Sequence, residues 1–411
     1  MPTEIRRLRG DEYERFAAIA AAAYPGGSMP AAELAERVRR AEGESHPVLC
    51  YGAFRDGQLV GGMRYFDFTM AFHALPVPVG GVGFVAVDLL RKKEGVARDM
   101  ILGFMRHYRE RGTPMAALYP FRPDFYGQMG FGYGAPTNHY SLLPASFPRG
   151  PRAHLRHMGP ADLPALLACH NRHAAATHGL FLRGEELMAR MVGAPERRAV
   201  AYVEGDQVLG YLLYQFQKGA TFLDNNLEVV ELIWERPAAL AELCAFLHAQ
   251  ADQVARVILN LQDDQLHQLV RDPRNGSGNL YPQVAHETSA QAHGIMYRLL
   301  DTAAFFRAVA GHSFGDQSLT LGIAVRDDFL PENEGTCVIR FESGRPHVDQ
   351  GPTPDARIGL GVAHLSSLVM GATDFRTLLR YGLAEIDDPE YSARVHRLFL
   401  SEVRPVCLTP F

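Results

Sequence analysis

A hairpin followed by a strand and a helix occurs twice in this sequence, and this repetition constrains the fold more than any other feature. In the first copy, two apolar runs within residues 48–68 flank the turn in RDGQLVGG; in the second, residues 199–216 have the same arrangement around EGDQVLGY. Asp-Gly between apolar runs is a strong hairpin signal. Because a strand and a helix follow each hairpin, we predict an internal duplication of a mixed α/β domain.

Turn and cap residues indicate the elements around the first hairpin. The first 25 residues predict a helix that Asp11 caps, and residues 30–40 predict a second, shorter helix. Residues 80–87 (GGVGFVAV) predict a strand, and a long helix is expected from Gly95 to Glu110.

The rest of the chain predicts two more domains. After a proline-rich break, a second unit begins near Arg152 with a helix that Asp162 caps, and it carries the second hairpin. From His293 onward, strands and turns alternate with short helices, which predicts an α+β domain. The expected domain ranges are therefore 1–148, 149–290 and 291–411.

Composition excludes several classes of protein. The chain has 41 basic and 46 acidic side chains, so neither nucleic acid nor a membrane surface is an expected partner. No segment reaches the ~20 apolar residues of a membrane span, and the N-terminus lacks the apolar core of a signal peptide. Five scattered cysteines without a Cys-x-x-Cys pair predict reduced, mostly buried thiols and a cytoplasmic protein.

The segment VGFVAVDLLRKKEGVARDM carries the strongest functional signal. Its strand runs into three cations, and Gly95 and Ala97 then open a helix. The first N–H groups of a helix have no partners, and the helix dipole adds about half a positive charge there. The segment therefore predicts a pyrophosphate site, and a basic surface turn is the alternative on this stretch alone.

Other motifs lack the context that their chemistry needs. GVGFVA matches the dinucleotide fingerprint G-x-G-x-x-A, but its glycines precede a strand rather than follow one, so a nicotinamide site is not expected. His170, His173 and His178 have near-helical spacing without a carboxylate pair or Cys, and we interpret them as a solvated helix face rather than a metal site.

These residues resemble a known family. FVAVDLLRKKEGVA resembles the acyl-CoA motif of GNAT N-acetyltransferases, with Lys92, Gly95 and Ala97 at its three positions. The segment PMAALYPFRPDFYGQMGFGYG, a second copy with Trp234-Glu235-Arg236-Pro237 in place of the cations, a sterol-carrier-like C-terminal region and the terminal Phe411 complete the pattern. Together they resemble the Eis-type (enhanced intracellular survival) acetyltransferases over essentially the whole chain.

The resemblance implies tandem GNAT-like mixed-sheet domains, the second degenerate, followed by a sterol-carrier-protein-like α+β domain whose end reaches the active site. It implies transfer of acetyl from acetyl-CoA directly to a primary amine, without a metal, by a homo-oligomer of up to six subunits. Tyr126 falls on the family's general acid and the α-carboxylate of Phe411 on its general base. The implied cofactor-binding residues are Val85, Ala86, Val87, Lys92, Lys93, Glu94, Gly95, Val96, Ala97, Arg98, Phe121 and Arg122.

The acceptor is less constrained. Pro410 stands where family members active on aminoglycosides can carry an acid, and residues 23–27, expected beside the amine pocket, contain no carboxylate. We therefore expect aminoglycosides to be poor acceptors, and polyamines, protein lysines and small-molecule amines stay open. Two alternatives come from other classes: a non-catalytic acyl-CoA sensor and a lipid-binding C-terminal module.

Overall fold

The chain, described here by a computed structural model over residues 3–26, 30–42, 48–221, 224–348 and 353–411, forms two compact units. The first unit comprises Met1–Gly134, Ile295–Pro405 and Thr409–Phe411, and the second comprises Ala135–Gly294 and Val406–Leu408. This division is by compactness, and the three domain ranges expected from the sequence stay predictions.

The first stretch of the chain contains six strands and four helices. The strands are β1 (Glu4–Arg7), β2 (Leu49–Arg55), β3 (Gln58–Phe72), β4 (Leu75–Val87), β5 (Met115–Leu118) and β6 (Gly132–Tyr133). The helices are α1 (Glu12–Ala23), α2 (Ala31–Glu42), α3 (Val96–Glu110) and α4 (Pro123–Gly127).

The elements of the second and third stretches follow in chain order. The second stretch has β7 (Thr137–Leu142), β8 (Leu155–Met158), α5 (Leu163–Ala176), α6 (Glu185–Val192), β9 (Arg197–Glu204), β10 (Gln207–Lys218), β11 (Asn225–Trp234), α7 (Pro237–His248), β12 (Arg256–Leu261), β13 (Leu280–Tyr281), β14 (Ala285–His286) and β15 (Ala290–Ala292). The third has β16 (Met296–Leu299), α8 (Thr302–Ala308), β17 (Leu319–Arg326), β18 (Gly335–Glu342), β19 (Arg345–Val348), β20 (Ala356–Gly361), α9 (Val362–Val369), α10 (Phe375–Arg380), β21 (Ala384–Ile386) and α11 (Ser392–Leu398).

Two seven-stranded mixed sheets carry the duplication that the sequence predicts. The first has the order β1-β2-β3-β4-β5-β16-β6, and the second has the order β15-β7-β12-β11-β10-β9-β8. In each, an antiparallel hairpin is followed by a strand, a helix and a parallel strand: β4 pairs in parallel with β5, and β11 with β12. The third sheet, β19-β18-β17-β20-β21, belongs to the first unit.

Helices cover both faces of the first sheet. A Cβ atom built on Gly62 would lie 2.5 Å from the Phe16 ring on α1, whereas one on Gly61 would lie 2.9 Å from the Met100 sulfur on α3. Because neighbouring residues of a strand point to opposite faces, α1 and α3 pack on opposite sides of β3. Phe16 is fully buried, which contributes about 2–3 kcal/mol of hydrophobic stabilisation for a side chain of this size.

The prediction of one helix over the first 25 residues is wrong at its start. Residues 4–7 form β1, which pairs antiparallel with β2, and the helix starts only at Glu12. Asp11 does occupy the N-cap position, but its side chain makes no capping hydrogen bond. The second unit repeats this error, since β8 precedes the helix that follows Asp162. In both cases the partner strand lies about 45 residues further along the chain. The hydrophobic periodicity of a short sequence window does not detect pairing over that distance.

A buried polar network replaces the solvated histidine face that we expected in the second unit. His170 and His178 are buried, so that interpretation is wrong for both. Arg183 donates to both carboxylate oxygens of Glu231, at 2.9 and 2.7 Å, and burial lowers the pKa of His170 to about 4. Arg183 also donates to the carbonyl of Leu408 at 3.2 Å, so the same network holds part of the C-terminal segment.

The C-terminal domain has an aromatic core. Five phenylalanine rings pack against one another with centroid distances of 5.3 to 6.4 Å: Phe305, Phe306, Phe314, Phe341 and Phe399. Side chains therefore fill the space between the third sheet and its helices.

Candidate active site

Strand β4 separates from β5 halfway along its length. The β4–β5 ladder covers Val79–Gly81 and goes no further in the described part of the chain. On the other edge, β4 stays paired with β3, but two β4 residues, Phe84 and Val85, oppose the single β3 residue Met63. Phe84 has a positive φ of 53° at this bulge. Separation leaves the backbone groups of residues 82–87 without β5 as a partner, and bulges commonly re-aim side chains beside active sites.

The start of helix α3 faces the same space. Gly95 is its N-cap residue with a φ of 83°, a conformation that glycine adopts without strain, and nothing lies within 4 Å of where its Cβ would be. The amide of Asp99 donates to the Gly95 carbonyl at 3.0 Å, so the amides of the three preceding helical residues have no partner within the helix. This geometry and the helix dipole favour an anion at the start of α3.

A cavity of about 290 Å³ joins the separated strand and the helix start. Its lining residues are Ala23, Tyr24, Val85, Val87, Arg91, Lys92, Lys93, Gly95, Val96, Ala97, Arg98, Phe121, Arg122, Phe125 and Tyr126. Most of the cofactor-binding residues expected from the sequence thus line one cavity, together with Tyr126. Ala86 and Glu94 are outside this lining: Ala86 is buried in the core beneath α1, and Arg55 donates to the Glu94 carboxylate at 3.1 Å.

Tyr126 lies on the short helix α4, which Pro123 opens at its first position. The residue is 8% exposed, and its ring makes edge contacts with Phe125 and Phe131 at centroid distances of 5.3 and 6.0 Å. Burial, and then the nearby Tyr24 hydroxyl, raise the pKa of Tyr126 above that of a free phenol. The hydroxyl is therefore protonated at neutral pH, which is the state that a proton donor needs.

Tyr24 belongs to residues 23–27, which we expected beside the amine pocket, but the sequence assigned it no role of its own. It lines the cavity together with Ala23, and Gly27 lies outside the described residues. The Tyr24 hydroxyl donates to the Val85 carbonyl at 2.7 Å, and its ring stacks on Phe84 with centroids 5.4 Å apart. Tyr24 therefore fixes the β4 bulge from the α1 side. The sequence signal was an aromatic residue directly after the last helical residue, which is too common to identify a site.

The terminal residue Phe411 is seated in an aromatic cluster of the first unit. Its ring contacts Phe66, Phe68 and Tyr119 at centroid distances of 5.6, 4.9 and 5.3 Å. A Cβ on Gly83 would lie 3.1 Å from the carboxyl carbon of Phe411, so the α-carboxylate lies against β4. Gly83 is two residues from Val85, which lines the cavity.

Arg64 is a second residue that sequence reasoning missed. It is the cross-strand partner of Gly83, and its guanidinium lies 4.7 Å from the centre of the Phe84 ring. Arg64, Phe66 and Phe68 alternate along β3, so they share the face that receives the chain terminus. The available signal was that Arg64 is the one cation in the sequence of β3.

Comparisons with known proteins agree with this architecture. A GNAT acetyltransferase domain model matches residues 4–134, a second one matches residues 179–299, and a sterol carrier protein domain model matches residues 302–408. N-acetyltransferase Eis of Mycobacterium bovis is 25% identical over 380 residues, which is 86% of each chain.

Solved structures show the same fold. Eis1 from Mycobacterium abscessus superposes with a TM-score of 0.79 at 22% identity, over 99% of this chain and 100% of that one. A GCN5-related N-acetyltransferase from Anabaena variabilis gives a TM-score of 0.82 at 15% identity and full coverage of both chains. The tandem GNAT arrangement and the sterol-carrier-like domain predicted from the sequence are confirmed. With two GNAT acetyltransferase domains, a sterol carrier domain and similarity to a curated Eis protein over 86% of its length, the chain is a GNAT-type acetyltransferase that resembles the Eis-type enzymes.

Proposed function

We propose that this acetyltransferase moves the acetyl group of acetyl-CoA to a primary amine of a small molecule or peptide, with Tyr126 as general acid and the Phe411 carboxylate as general base. GNAT acetyltransferases use acetyl-CoA. The observation that carries the proposal is the single cavity in which the separated β4 edge, the start of α3 and Tyr126 meet.

The cavity residues fit acetyl-CoA chemically. The unpaired amides at the start of α3 suit a pyrophosphate, and Arg91, Lys92 and Lys93 add mobile positive charge beside them. Backbone groups of Val85 and Val87 can hydrogen-bond the amides of the pantetheine arm as an added strand would. An arm in this position carries the thioester toward Tyr126, which lines the same cavity.

Tyr126 supplies a proton as the thiolate leaves. A free phenol, with a pKa near 10, is a weaker acid than a thiol, with a pKa near 8.5. The Tyr126 hydroxyl therefore donates a hydrogen bond to the sulfur as negative charge develops there, and the proton passes to the sulfur as solvent re-protonates the phenolate. The raised pKa of Tyr126 keeps the donor loaded at neutral pH. Because the acetyl thioester is already activated, the amine attacks it directly and no covalent enzyme intermediate is needed.

The Phe411 carboxylate binds the amine and takes its surplus proton, directly or through water. A free α-carboxyl titrates near pKa 3.5, so it is ionised at neutral pH. Its weak basicity makes positioning of the ammonium an equal part of its role. Gly83, which lies against the carboxyl carbon, and Phe68 and Tyr119, which contact the Phe411 ring, are uncharged, and so is the preceding residue Pro410. We therefore propose acceptors with few positive charges in preference to polycationic aminoglycosides.

Replacement of Tyr126 by phenylalanine tests the acid assignment. The ring contacts with Phe125 and Phe131 survive in Y126F, so only the hydroxyl is lost. We expect acetyl-CoA-dependent release of free thiol, measured over a panel of amines, to fall by about 10²- to 10⁴-fold with acetyl-CoA affinity unchanged. The exposed Tyr381 provides the matched control, Y381F. Full turnover in Y126F would reject the acid role.

The two alternatives from other classes gain no support. The relatives at near full coverage are acetyltransferases, which argues against a sensor without turnover. The phenylalanine core of the C-terminal domain argues for a packed scaffold rather than a lipid-binding module.

A further inference from the structure

We propose that the buried pair Arg298–Asp327 is a positioning device for Tyr126, through which the C-terminal domain holds the general acid in place. This inference rests on the proposed function, because it assigns Arg298 a role that acts through Tyr126. Arg298 lies on β16 and is not one of the residues that line the cavity, so it is a positioning residue and not a catalytic one.

The turn after Tyr126 is tightly bonded to that residue. The carbonyl of Tyr126 accepts hydrogen bonds from the amides of Met129 at 3.0 Å and Phe131 at 3.2 Å. The amide of Gly130 donates to the carbonyl of Gly127 at 3.0 Å. Any displacement of residues 129–131 is therefore transmitted to the backbone of Tyr126.

Arg298 holds this turn from the β16 side. Its Nε donates to the Met129 carbonyl at 2.7 Å, its Nη1 to the Leu299 carbonyl at 2.9 Å and its Nη2 to the Asp327 carboxylate at 2.6 Å. The Arg298 side chain is 0% exposed and that of Asp327 is 1% exposed. A planar guanidinium with three fixed acceptors has one orientation, and it imposes that orientation on the Met129 carbonyl.

Asp327 is fixed by its own C-terminal domain. The carboxylate oxygen that accepts from Arg298 also accepts from the Leu330 amide at 2.9 Å, and the other oxygen accepts from the Asn333 side chain at 3.0 Å. Asn333 in turn accepts from the amide of Thr302, the first residue of α8. The acid turn is therefore connected through buried polar groups to the segment before β18 and to the start of α8.

Gly130 shows how little freedom the turn has. Its φ is 82°, and a Cβ there would lie 2.6 Å from Val362 and 3.0 Å from the Arg298 Nε. Val362 opens α9 of the C-terminal domain. The turn is thus confined between Arg298 and α9, and side-chain placement within about 0.5 Å is what a catalytic group needs.

Buried ion pairs seldom add much net stability compared with apolar residues of the same volume, but they do specify one arrangement. A pair that bonds the turn carrying the proposed acid is placed to specify that arrangement. The inference predicts that a variant which breaks the hydrogen bonds of Arg298 lowers kcat while Tyr126 is present. The same variant should have little effect on kcat once the Tyr126 hydroxyl has been removed.

A double-mutant cycle tests this prediction. Arg298→Lys keeps the buried charge but loses the planar set of donors, and we expect it to lower kcat about 10- to 100-fold with acetyl-CoA affinity unchanged. In a protein that already carries Y126F, the same change should alter kcat by less than about twofold. Reductions that multiply in the double variant would overturn the inference while leaving the acid role intact. A Y126F protein with full turnover would instead reject the acid role, and the positioning role with it.

Gly130→Ala provides a second route if R298K does not fold. It crowds the turn against Arg298 and Val362 while both side chains of the ion pair are retained. Gly112→Ala is the matched control, because its φ of 75° gives similar backbone strain and nothing lies within 4 Å of the added Cβ. We expect G130A to lower kcat and G112A to leave it unchanged. In a protein that already carries Y126F, G130A should no longer lower kcat. Equal effects of the two alanines on kcat would contradict the inference.

Discussion

At the scale of single residues, the proposed reaction depends on two groups with opposite surroundings. Tyr126 is buried among aromatic rings, and burial raises its pKa. The Phe411 carboxylate rests on the bare backbone of Gly83, where a Cβ would lie 3.1 Å from the carboxyl carbon. A protonated donor and an ionised acceptor can therefore coexist at the same pH.

Gly83→Ala tests the seat of the carboxylate. The added Cβ would lie 3.1 Å from the carboxyl carbon of Phe411, so the terminus must move by a few tenths of an ångström or more. We expect kcat to fall by roughly tenfold at unchanged acetyl-CoA affinity, because misplaced catalytic groups lose rate steeply. Gly159→Ala, with nothing within 4 Å of its Cβ, is the control. Equal kcat in the two variants would show that the terminus has no fixed seat.

Local sequence patterns could predict the cavity but not the seat of the terminus. The turn in RDGQLVGG, the strand 80–87 and the helix after Gly95 depend on neighbours in sequence, and they form as expected. The cluster of Phe66, Phe68 and Tyr119 receives a residue from the far end of the chain. The Arg298–Asp327 pair likewise joins separate sheets, and no spacing rule connects its members.

At the scale of elements, the loop between β4 and α3 combines a strained backbone with a binding role, and both belong to Lys93. Lys93 has a positive φ of 67° just before Gly95. A non-glycine residue in this region costs energy, so the loop holds a strained backbone where the cavity needs cations. The second copy has Trp234-Glu235-Arg236-Pro237 at the corresponding place, which lacks a run of cations.

Lys93→Gly allows the effect of the strain and the effect of the cation to be measured separately. Glycine relieves the positive φ but enlarges the unfolded ensemble, so the free energy of unfolding should change by no more than about 1 kcal/mol. Loss of the cation should weaken acetyl-CoA binding about three- to tenfold at low salt and less at high salt. Asp56→Gly, at a φ of 50° in the first hairpin turn, is the control for strain alone. Calorimetric titration that finds unchanged affinity in K93G would remove Lys93 from the phosphate site.

At the scale of the whole molecule, acid sensitivity follows from a stacked pair of half-buried histidines. His73 at the end of β3 and His312 after α8 stack with ring centroids 4.3 Å apart. Burial, and then the charge of His73, lower the pKa of His312 to about 4, and burial lowers that of His73. Below a pH of about 6.5 the two imidazoles are protonated in the unfolded chain but stay neutral in the folded chain. The free energy of unfolding therefore falls as the pH drops toward 4.

Replacement of His312 by phenylalanine should reduce this sensitivity. Phe72 and Phe314 already contact the ring, so a phenyl group suits the site. Between pH 7 and pH 5 we expect the melting temperature of H312F to decline less than that of the parent. The reason is that unfolding of the variant takes up about one proton fewer. His157→Gln, at an exposed position, is the control. Parallel declines in the parent and H312F would show that the stacked pair does not govern acid stability.

Among the described residues, every helix is too short or too polar to cross a lipid bilayer. The homo-oligomer and the cytoplasmic location expected from the sequence stay predictions, and sedimentation of the full chain measures the first of them.

Extension of the chain by one glycine after Phe411 tests the central claim most directly. The extension turns the α-carboxylate of Phe411 into an amide and moves the free carboxylate one residue away, while the described lining of the cavity stays intact. The proposed chemistry predicts that thiol release in the presence of an accepted amine falls by about 10²-fold or more at unchanged acetyl-CoA affinity. Full turnover in the extended protein would contradict the claim that the chain terminus is the base.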